Sequence, residues 1–125
     1  NTQEKYFVGD QSLLYSVMGF KDRLISGVLE NIVMLELKRR RYRVFVGKQD
    51  QREIDFVAEK DGKKIYIQVA YKMTDTSTID REFAPLLEIK DNYPKYVVSM
   101  DESWQDNLEG VQHIHIADFL RMEQF

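Results

Sequence analysis

A segment of twenty residues, EIDFVAEKDGKKIYIQVAYK from Glu53 to Lys72, constrains the fold more than any other part of the chain. Apolar and polar residues alternate in each half, which is the period of a β-strand with two different faces. The residues between the halves, Asp61-Gly62, are typical of a hairpin turn. The segment therefore predicts a β-hairpin with strands over residues 53–59 and 63–71.

Two polar residues of this hairpin are predicted to lie side by side. Asp55 stands between Ile54 and Phe56, so strand alternation directs it away from their face. Gln68 alternates in the same way with Ile67, and pairing across the turn places it level with Asp55. One interpretation is that both residues face solvent, and the other is that they form part of a site.

The rest of the chain predicts alternating helices and strands. Before the hairpin, the predicted elements are a short strand at 6–8, a helix from Asp10 to Met18 stopped by Gly19, a long helix from Asp22 to about Arg41, and a strand at 42–46 followed by a turn at 47–50. After the hairpin, a helix is predicted from Ser77 or Thr78 to about Lys90, with Pro85 inside it. Strands at 95–100 and 111–117 then enclose an acidic loop, and a terminal helix is capped by Asp118. This order predicts an α/β fold, with a central mixed β-sheet flanked by helices. The helix between the third and fourth strands allows a parallel crossover there.

Two apolar rows follow the long helix, which predicts burial on more than one side. The rows comprise Ile25, Val28, Leu29, Ile32 and Leu35, and then Val33, Met34 and Leu37. Glu30 continues the second row at helical spacing. A carboxylate on such a row either reaches water at the row's end or needs a hydrogen bond, a cation or a metal.

Glu30, Asp55 and Gln68 together could bind a divalent cation. Mg²⁺ prefers oxygen ligands and keeps several waters, so one or two carboxylates and a carbonyl suffice. A metal bound beside a phosphodiester polarises it and lowers the pKa of an attacking water. A nearby Lys would help to orient that water and stabilise the developing charge.

The chain also resembles a known family. The segments LENIVMLELKRRRYRVFVGK, REIDFVAEKDGKKIYIQVAYKM and TIDREFAPLLEIKDNYPKYVVSMDE are similar to the C-terminal domain of prokaryotic AAA-type ATPases, often called archaeal-type ATPases. That domain belongs to the PD-(D/E)xK nuclease-like superfamily. The resemblance implies a restriction-endonuclease-like three-layer sandwich over residues 21–125, with residues 1–20 as a lead-in strand and helix from the preceding region. It also implies an ATPase and winged-helix region elsewhere in the parent protein.

The superfamily's site residues can be carried over position by position. Glu30 matches the helix Glu, Asp55 the central metal-binding Asp, and Gln68 the second acidic position, where Gln occurs in some members. The position of the catalytic Lys falls on Ala70, whose methyl group cannot move a proton or stabilise charge. Lys72 lies two residues on, on the same strand face but about 7 Å further along, and its long side chain could reach part of the way back. The resemblance therefore implies a degraded site in which any Mg²⁺ binding is weakened or lost.

The charge of the chain is unevenly distributed. The net charge is −3, which argues against a protein that coats DNA. Residues 21–72 nevertheless carry a positive excess that includes the run KRRRYR. Candidate nucleic-acid contacts are Arg39, Arg40, Arg41, Arg43 and Lys48. The alternative is that these cations stabilise the C-terminal end of the long helix.

Three functions remain open on the sequence. They are a noncatalytic nuclease-like accessory domain that binds DNA or a protein partner, an active Mg²⁺-dependent DNA endonuclease using Glu30, Asp55, Gln68 and Lys72, and a protein–protein assembly module. No nucleotide-binding motif of the GxxxxGK[ST] kind is present, so the domain itself is not expected to hydrolyse ATP.

Further expectations concern the origin of the chain, its localisation and three individual side chains. The first residue is not Met, so the chain is expected to be a piece of a longer protein. Without Cys, a signal peptide or an apolar run of membrane length, we expect a cytoplasmic protein with no membrane contact. His113 and His115 share a strand face and are expected to be polar surface rather than metal ligands. Trp104 in the acidic loop is a candidate contact point.

Overall fold

The computed structural model describes residues 11–49, 52–73, 76–101 and 107–125. Its elements are α1 (Gln11–Arg39), β1 (Arg43–Gln49), β2 (Arg52–Lys60), β3 (Lys63–Val69), α2 (Thr76–Leu87), β4 (Lys95–Ser99), β5 (Asn107–Leu108), β6 (Val111–His115) and α3 (Ile116–Arg121). The predicted strand at 6–8 and Trp104 lie outside the described residues.

The predicted hairpin is confirmed and forms the centre of the fold. β2 and β3 pair antiparallel, and Lys60 faces Lys63 across the turn. The two turn residues, Asp61 and Gly62, have φ values of 53° and 78°. Two consecutive positive φ angles define the type I′ turn, whose twist matches that of the flanking strands. Asp-Gly is therefore a sequence suited to closing this hairpin.

The hairpin lies within a six-stranded mixed sheet of order β1-β2-β3-β4-β6-β5. β1 pairs antiparallel with β2 on one side. β4 pairs parallel with β3, and β6 parallel with β4, so the predicted parallel connection through the intervening helix is confirmed. The two-residue strand β5 was not predicted and pairs antiparallel with β6.

Helices cover both faces of the sheet. Leu29, Val33 and Leu37 of α1 and Phe119 of α3 pack in one apolar cluster with the β3 face that carries Ile67. Phe83 and Leu86 of α2 form a second cluster with the opposite β3 face, which carries Tyr66 and Ala70. The predicted α/β architecture with a central mixed sheet is confirmed at this level.

The predicted interruption of the first helix is wrong. Gly19 lies inside α1, which runs without a break from Gln11 to Arg39. A glycine in a helix interior costs only about 1 kcal/mol relative to alanine, and no proline follows to prevent the helix from continuing. The helix ends where Arg41 takes a left-handed φ of 69°, with Tyr42 N–H bonded to the Leu37 carbonyl at 3.0 Å. This is the hydrogen-bond pattern of a Schellman cap.

Burial of α1 is also narrower than predicted. Leu29, Val33 and Leu37 form the buried row, whereas Val28 and Leu35 are 59% and 57% exposed. The sheet can cover only one side of a helix, and no described element packs on the other. The helix is therefore buried on one face.

The strand β1 extends through Gln49 into the predicted turn at 47–50, because Gly47 pairs with Ile54. Between the pairs Phe45–Val57 and Gly47–Ile54, β1 advances two residues and β2 advances three. β2 therefore contains a bulge next to Asp55. The bulge places Ile54 in the α2 cluster and Phe56 in the α1 cluster, so the expectation that these two residues share a face is wrong.

The remaining differences concern helix boundaries. α2 begins at Thr76, before the predicted caps Ser77 and Thr78. It contains Pro85, as predicted, and ends at Leu87. Lys90 lies beyond it and is exposed. β6 ends at His115, whose Nδ1 accepts a hydrogen bond from the Ala117 N–H at 3.0 Å and so caps α3 in place of Asp118. Among the described residues, no helix is both long and apolar enough to span a membrane.

Candidate functional site

The side chains of Asp55 and Gln68 each accept a hydrogen bond from the backbone of the opposite strand. The Asp55 N–H donates to Gln68 Oε1 at 2.7 Å. The Val69 N–H donates to Asp55 Oδ2 at 2.8 Å. The two residues are level with each other, as predicted, and each uses a side-chain oxygen to bind the backbone of the opposite strand.

These bonds lie where the hairpin opens. The regular β2–β3 pairing stops at Phe56 and Ile67. Beyond that point β3 follows β4 instead, with the Ala70 N–H donating to the Val98 carbonyl at 2.9 Å. Backbone N–H groups left by the diverging strands need acceptors, and the side chains of Asp55 and Gln68 supply them. We call this arrangement the Asp55–Gln68 clasp.

The clasp lies in a groove of about 1140 Å³ between α1, the open end of the hairpin and α2. Glu30 of α1 lines the groove, so the three predicted metal-site residues are brought to one place. Ala70 and Lys72 also line it. The charged lining comprises six acidic residues, Asp22, Glu30, Glu53, Asp55, Asp80 and Glu82, and three basic residues, Arg23, Lys72 and Arg81.

Three of the groove carboxyls have raised pKa values. Burial raises the pKa of Asp55, although the hydrogen bond from the Val69 N–H opposes the shift. Burial and then the charge of Asp55 raise the pKa of Glu30. Burial, followed by the charge of Asp55, raises the pKa of Glu82 to about 7. The groove therefore holds negative charge at an energetic cost that a cation would reduce.

Glu82 was not predicted as a site residue. Its side chain is 16% exposed and lies 3.7 Å from the Arg81 guanidinium. The signal was present in the helix spacing, because Glu82 follows Ile79 by three residues and precedes Leu86 by four. It therefore continues the buried face of α2.

Ala70, which the resemblance described above aligns with a catalytic lysine, carries a buried methyl group. Ala70 is 6% exposed and packs in the α2 cluster with Ile54 and Phe83. Lys72 is exposed, and its Nζ lies 5.4 Å from the centre of the Tyr71 ring. Because β3 ends at Val69, the expectation that Lys72 continues the same strand face is wrong. The structure places Lys72 at the groove wall without directing its ammonium to Asp55.

The donor set fits a divalent cation only in part. Asp55 and Glu30 supply carboxylates, and Gln68 supplies a carbonyl oxygen that already accepts the Asp55 N–H. Within the described ranges, no three His, Cys, Asp or Glu side chains converge on a common position that could hold a metal ion.

The four arginines predicted to contact nucleic acid lie outside the lining of this groove. Arg39 and Arg40 both bind Glu36, at 2.6 and 2.7 Å. The hydrogen bond from Arg39 has the larger effect on Glu36, and together with that from Arg40 it lowers the pKa of Glu36 to about 2. Arg40 also donates to the Leu120 carbonyl, which gives it a structural role. Arg41 and Arg43 are exposed, and the side chain of Lys48 lies outside the described part of the chain.

The two histidines of β6 lie in different environments. His113 is 7% exposed, and its Nε2 lies 2.6 Å from Ser99 Oγ. The expectation that it faces solvent is wrong, because β6 is covered by β4 and β5 on its edges and by helices on its faces. His115 caps α3.

Comparison with known proteins gives the family. Residues 26–119 match the family described as "Domain of unknown function (DUF4143)". A Haemophilus influenzae protein described as "Uncharacterized protein" is 40% identical to the chain over 119 residues. The matched part covers 95% of this chain and 29% of that protein, so the chain spans less than a third of this relative's length. Domains of this family are found in AAA-ATPase-associated proteins. Because the family match includes most of the sheet and the groove, the chain belongs to the DUF4143 family.

Proposed function

We propose that the chain is a catalytically degenerate, PD-(D/E)xK nuclease-like accessory domain of an AAA-type ATPase. In this proposal the domain has a restriction-endonuclease-like fold, acts in the cytoplasm and binds nucleic acid or a protein partner. The ATPase and winged-helix region of the parent protein hydrolyses nucleotide. The observation that carries the proposal is Ala70, which stands buried at the position where the reaction needs a lysine.

The chemistry of phosphodiester hydrolysis explains why an alanine at position 70 argues against catalysis. The attacking water must be oriented and deprotonated, and the phosphoryl oxygens gain negative charge in the transition state. A methyl group can do neither, and the exposed ammonium of Lys72 lies beside Tyr71. The clasp also engages one oxygen each of Asp55 and Gln68 in backbone hydrogen bonds. These features support a role for the pair in holding the sheet together.

A cleavage assay tests the proposal directly. Duplex and single-stranded DNA are incubated with the chain and either Mg²⁺ or Mn²⁺, beside an Asp55→Asn variant that keeps a side-chain carbonyl for the clasp. We expect the unmodified chain to cleave no more DNA than the Asp55→Asn variant does. Metal-dependent cleavage that disappears in both Asp55→Asn and Lys72→Ala would instead establish the alternative, an active Mg²⁺-dependent DNA endonuclease.

An exposed apolar row on α1 favours a second candidate, a protein–protein assembly module. Phe20, Leu24 and Val28 are 56%, 55% and 59% exposed and recur every four residues, so they form one stripe. Leu35 continues this stripe two turns later. Exposed apolar rows of this kind mark interaction surfaces. The occupant in this proposal is the remaining part of the parent protein.

Substitution of the stripe tests this candidate. Leu24→Glu with Val28→Glu places two charges on the exposed side of α1 and leaves its buried row intact. We expect the variant to fold with unchanged thermal stability and to lose association with the separately purified remainder of the parent protein. Unchanged association would exclude the stripe as the contact.

A further inference from the structure

The end of the molecule opposite the groove carries a concentrated basic surface. The turn of the hairpin, the start of β1 and the residue Tyr93 enclose a pocket of about 240 Å³. Its charged lining comprises the basic residues Arg43, Lys60, Lys63 and Lys64 and the acidic residues Glu59 and Asp61. We call this surface the hairpin-tip patch. The Lys60 ammonium lies 5.4 Å from the centre of the ring of Tyr42, the residue immediately before β1.

The fold itself separates this patch from the groove. Asp55 and Lys60 are five residues apart on β2, which is about 17 Å at ~3.3 Å per residue. Glu30 and Arg41 are eleven residues apart along α1 and its cap, which is about 16 Å at 1.5 Å per residue. The two sites are therefore at opposite ends of the same strands and the same helix.

Their charges are opposite as well. The groove has twice as many acidic as basic residues in its lining, whereas the pocket at the tip has twice as many basic as acidic residues. A polyanion that approaches the groove meets three carboxyl groups whose ionisation is already disfavoured by burial and by one another. At the hairpin tip it meets four cations on the strands beside the turn, of which Arg43 and Lys63 are exposed, while the half-buried Lys64 lies 3.6 Å from Glu59. Coulombic attraction therefore directs a polyanion to the tip.

We propose that the hairpin-tip patch, and not the nuclease-type groove, binds the phosphate backbone of nucleic acid. This inference rests on the nucleic-acid-binding part of the proposed function and specifies its surface. Lys63 and Lys64, next to the type I′ turn, and Arg43, on the neighbouring strand, contact phosphates. None of the three lysines of this patch was among the residues predicted from the sequence.

Two exposed aromatic residues favour nucleic acid over other polyanions. Tyr93 lines the pocket and is 40% exposed. Phe45 is 42% exposed, and the Arg43 guanidinium lies 5.5 Å from the centre of its ring. Cations interleaved with exposed rings are the combination by which proteins hold a backbone and stack on bases. An acidic peptide would use the cations but would gain nothing specific from the rings.

The test compares variants that remove equal charge from different surfaces. The tip variant carries Arg43→Gln, Lys63→Gln and Lys64→Gln. A charge-matched control carries Lys21→Gln, Lys90→Gln and Arg121→Gln, all on exposed side chains that do not line the pocket. A groove variant carries Arg23→Gln, Lys72→Gln and Arg81→Gln, the three basic residues that line the groove. Binding of a 20-nucleotide single strand and of the corresponding duplex to the 125-residue chain is measured by fluorescence anisotropy as the salt concentration is varied, and circular dichroism verifies that each variant is folded.

We expect the tip variant to bind at least tenfold more weakly at low salt, while the charge-matched control stays within about twofold. The slope of log affinity against log salt should fall by roughly 0.7 to 0.9 for each phosphate that the variant no longer neutralises. A Tyr93→Ala variant, which changes no charge, should weaken binding of the single strand more than binding of the duplex.

Three results would overturn the inference. Loss of binding in the groove variant with retention in the tip variant would move the nucleic-acid surface to the groove and leave the proposed function standing. Equal affinity for poly-L-glutamate of matched charge would assign the patch to an acidic peptide. Absence of binding by the unmodified chain at low salt would remove both the patch and the nucleic-acid-binding part of the proposed function, while the cleavage assay would still judge the loss of catalysis separately.

Discussion

Asp55 and Gln68 fix the end of the β2–β3 ladder through side-chain oxygens, so their loss should affect stability even if the groove binds nothing. The Val69 N–H is part-buried and has Asp55 Oδ2 as its acceptor. A buried donor that loses its acceptor retains the full cost of its desolvation. This gives the pair a stabilising role that is separable from catalysis.

Two substitutions at Asp55 isolate that role. Asp55→Ala and Asp55→Asn both remove the charge, but only Asn keeps a carbonyl oxygen for the Val69 N–H. We expect Asp55→Ala to be less stable than Asp55→Asn by about 1–3 kcal/mol in urea denaturation. Equal free energies of unfolding for the two variants would show that the clasp contributes nothing.

Glu82 should make the chain less stable as the pH rises. Its pKa is raised from 4.5 to about 7, first by burial and then by Asp55. Between these values the unfolded chain has released the proton and the folded chain still holds it. The free energy of unfolding therefore falls as the pH rises through this interval, and the loss is complete above the folded pKa.

The variant Glu82→Gln removes this ionisation. We expect it to raise the free energy of unfolding on the order of 2 kcal/mol at pH 8, with the gain disappearing near pH 4, where Glu82 is protonated in both states. Denaturation at both pH values measures the difference. Glu123→Gln, which removes one carboxylate from an exposed position, is the control.

At the level of single residues, strand periodicity could predict that Asp55 and Gln68 lie side by side, whereas the family resemblance was needed to assign Glu30 to the same site. The sequence could not predict the raised pKa of Glu82, because that depends on how α2 packs over the hairpin. The burial of His113 was missed for the same reason. Period-two alternation separates two strand faces but does not show that both are covered.

At the level of elements, the bulge in β2 is the feature that positions the site. By adding one residue opposite β1, it turns Ile54 toward α2 and Phe56 toward α1 on either side of Asp55. Gly47 allows β1 to follow this bend. A Cβ at Gly47 would lie 2.5 Å from Val57 Cγ2 and 3.1 Å from Ile54 Cβ.

Two glycines should therefore respond in opposite ways to replacement by alanine. Gly47→Ala forces an overpacked contact with β2 and should lower the free energy of unfolding by about 1–3 kcal/mol. Gly27→Ala lies on α1, where a Cβ meets no atom within 4 Å, and should raise it by about 0.5–1 kcal/mol through helix propensity. Thermal denaturation compares the two, and a stabilising Gly47→Ala would contradict the close approach at the bulge.

The sequence predicted the elements better than their ends. The hairpin, β4 and the long helix have strong periodic signals. The false stop at Gly19 and the false turn at Gly47 have different causes. A Cβ at Gly19 would meet only Arg23 Nη1, at 3.8 Å, so the helix merely tolerates this glycine, whereas Gly47 stands where packing leaves no room for a side chain.

At the level of the whole molecule, Phe125 packs against residues of several elements on the α1 side of the sheet. The Phe125 ring stacks on Phe119 at 4.5 Å between centres and approaches Tyr96 at 6.4 Å. The Arg40 guanidinium lies 4.1 Å from the centre of the Phe125 ring. The same side chain binds Glu36 and the Leu120 carbonyl. Arg40 thereby joins the end of α1 to α3 and to the chain terminus.

This arrangement predicts different roles for two adjacent arginines of the basic run. Arg40 has a side chain only 12% exposed, and a lysine cannot reproduce its planar contact with Phe125 together with both hydrogen bonds. We expect Arg40→Lys to lower the free energy of unfolding by about 1–3 kcal/mol. Arg39, whose side chain is 68% exposed, forms a surface ion pair, and Arg39→Lys should change stability by less than about 0.5 kcal/mol.

Urea denaturation of both variants, together with their affinity for a short DNA duplex, separates packing from recognition. The stability loss of Arg40→Lys should occur without a change in DNA affinity, because the substitution keeps the charge and the side chain faces the protein. A weaker DNA complex at unchanged stability would instead place Arg40 at the nucleic-acid surface. The basic run would then act as one unit, rather than as a helix end in which one arginine holds the fold and its neighbours face solvent.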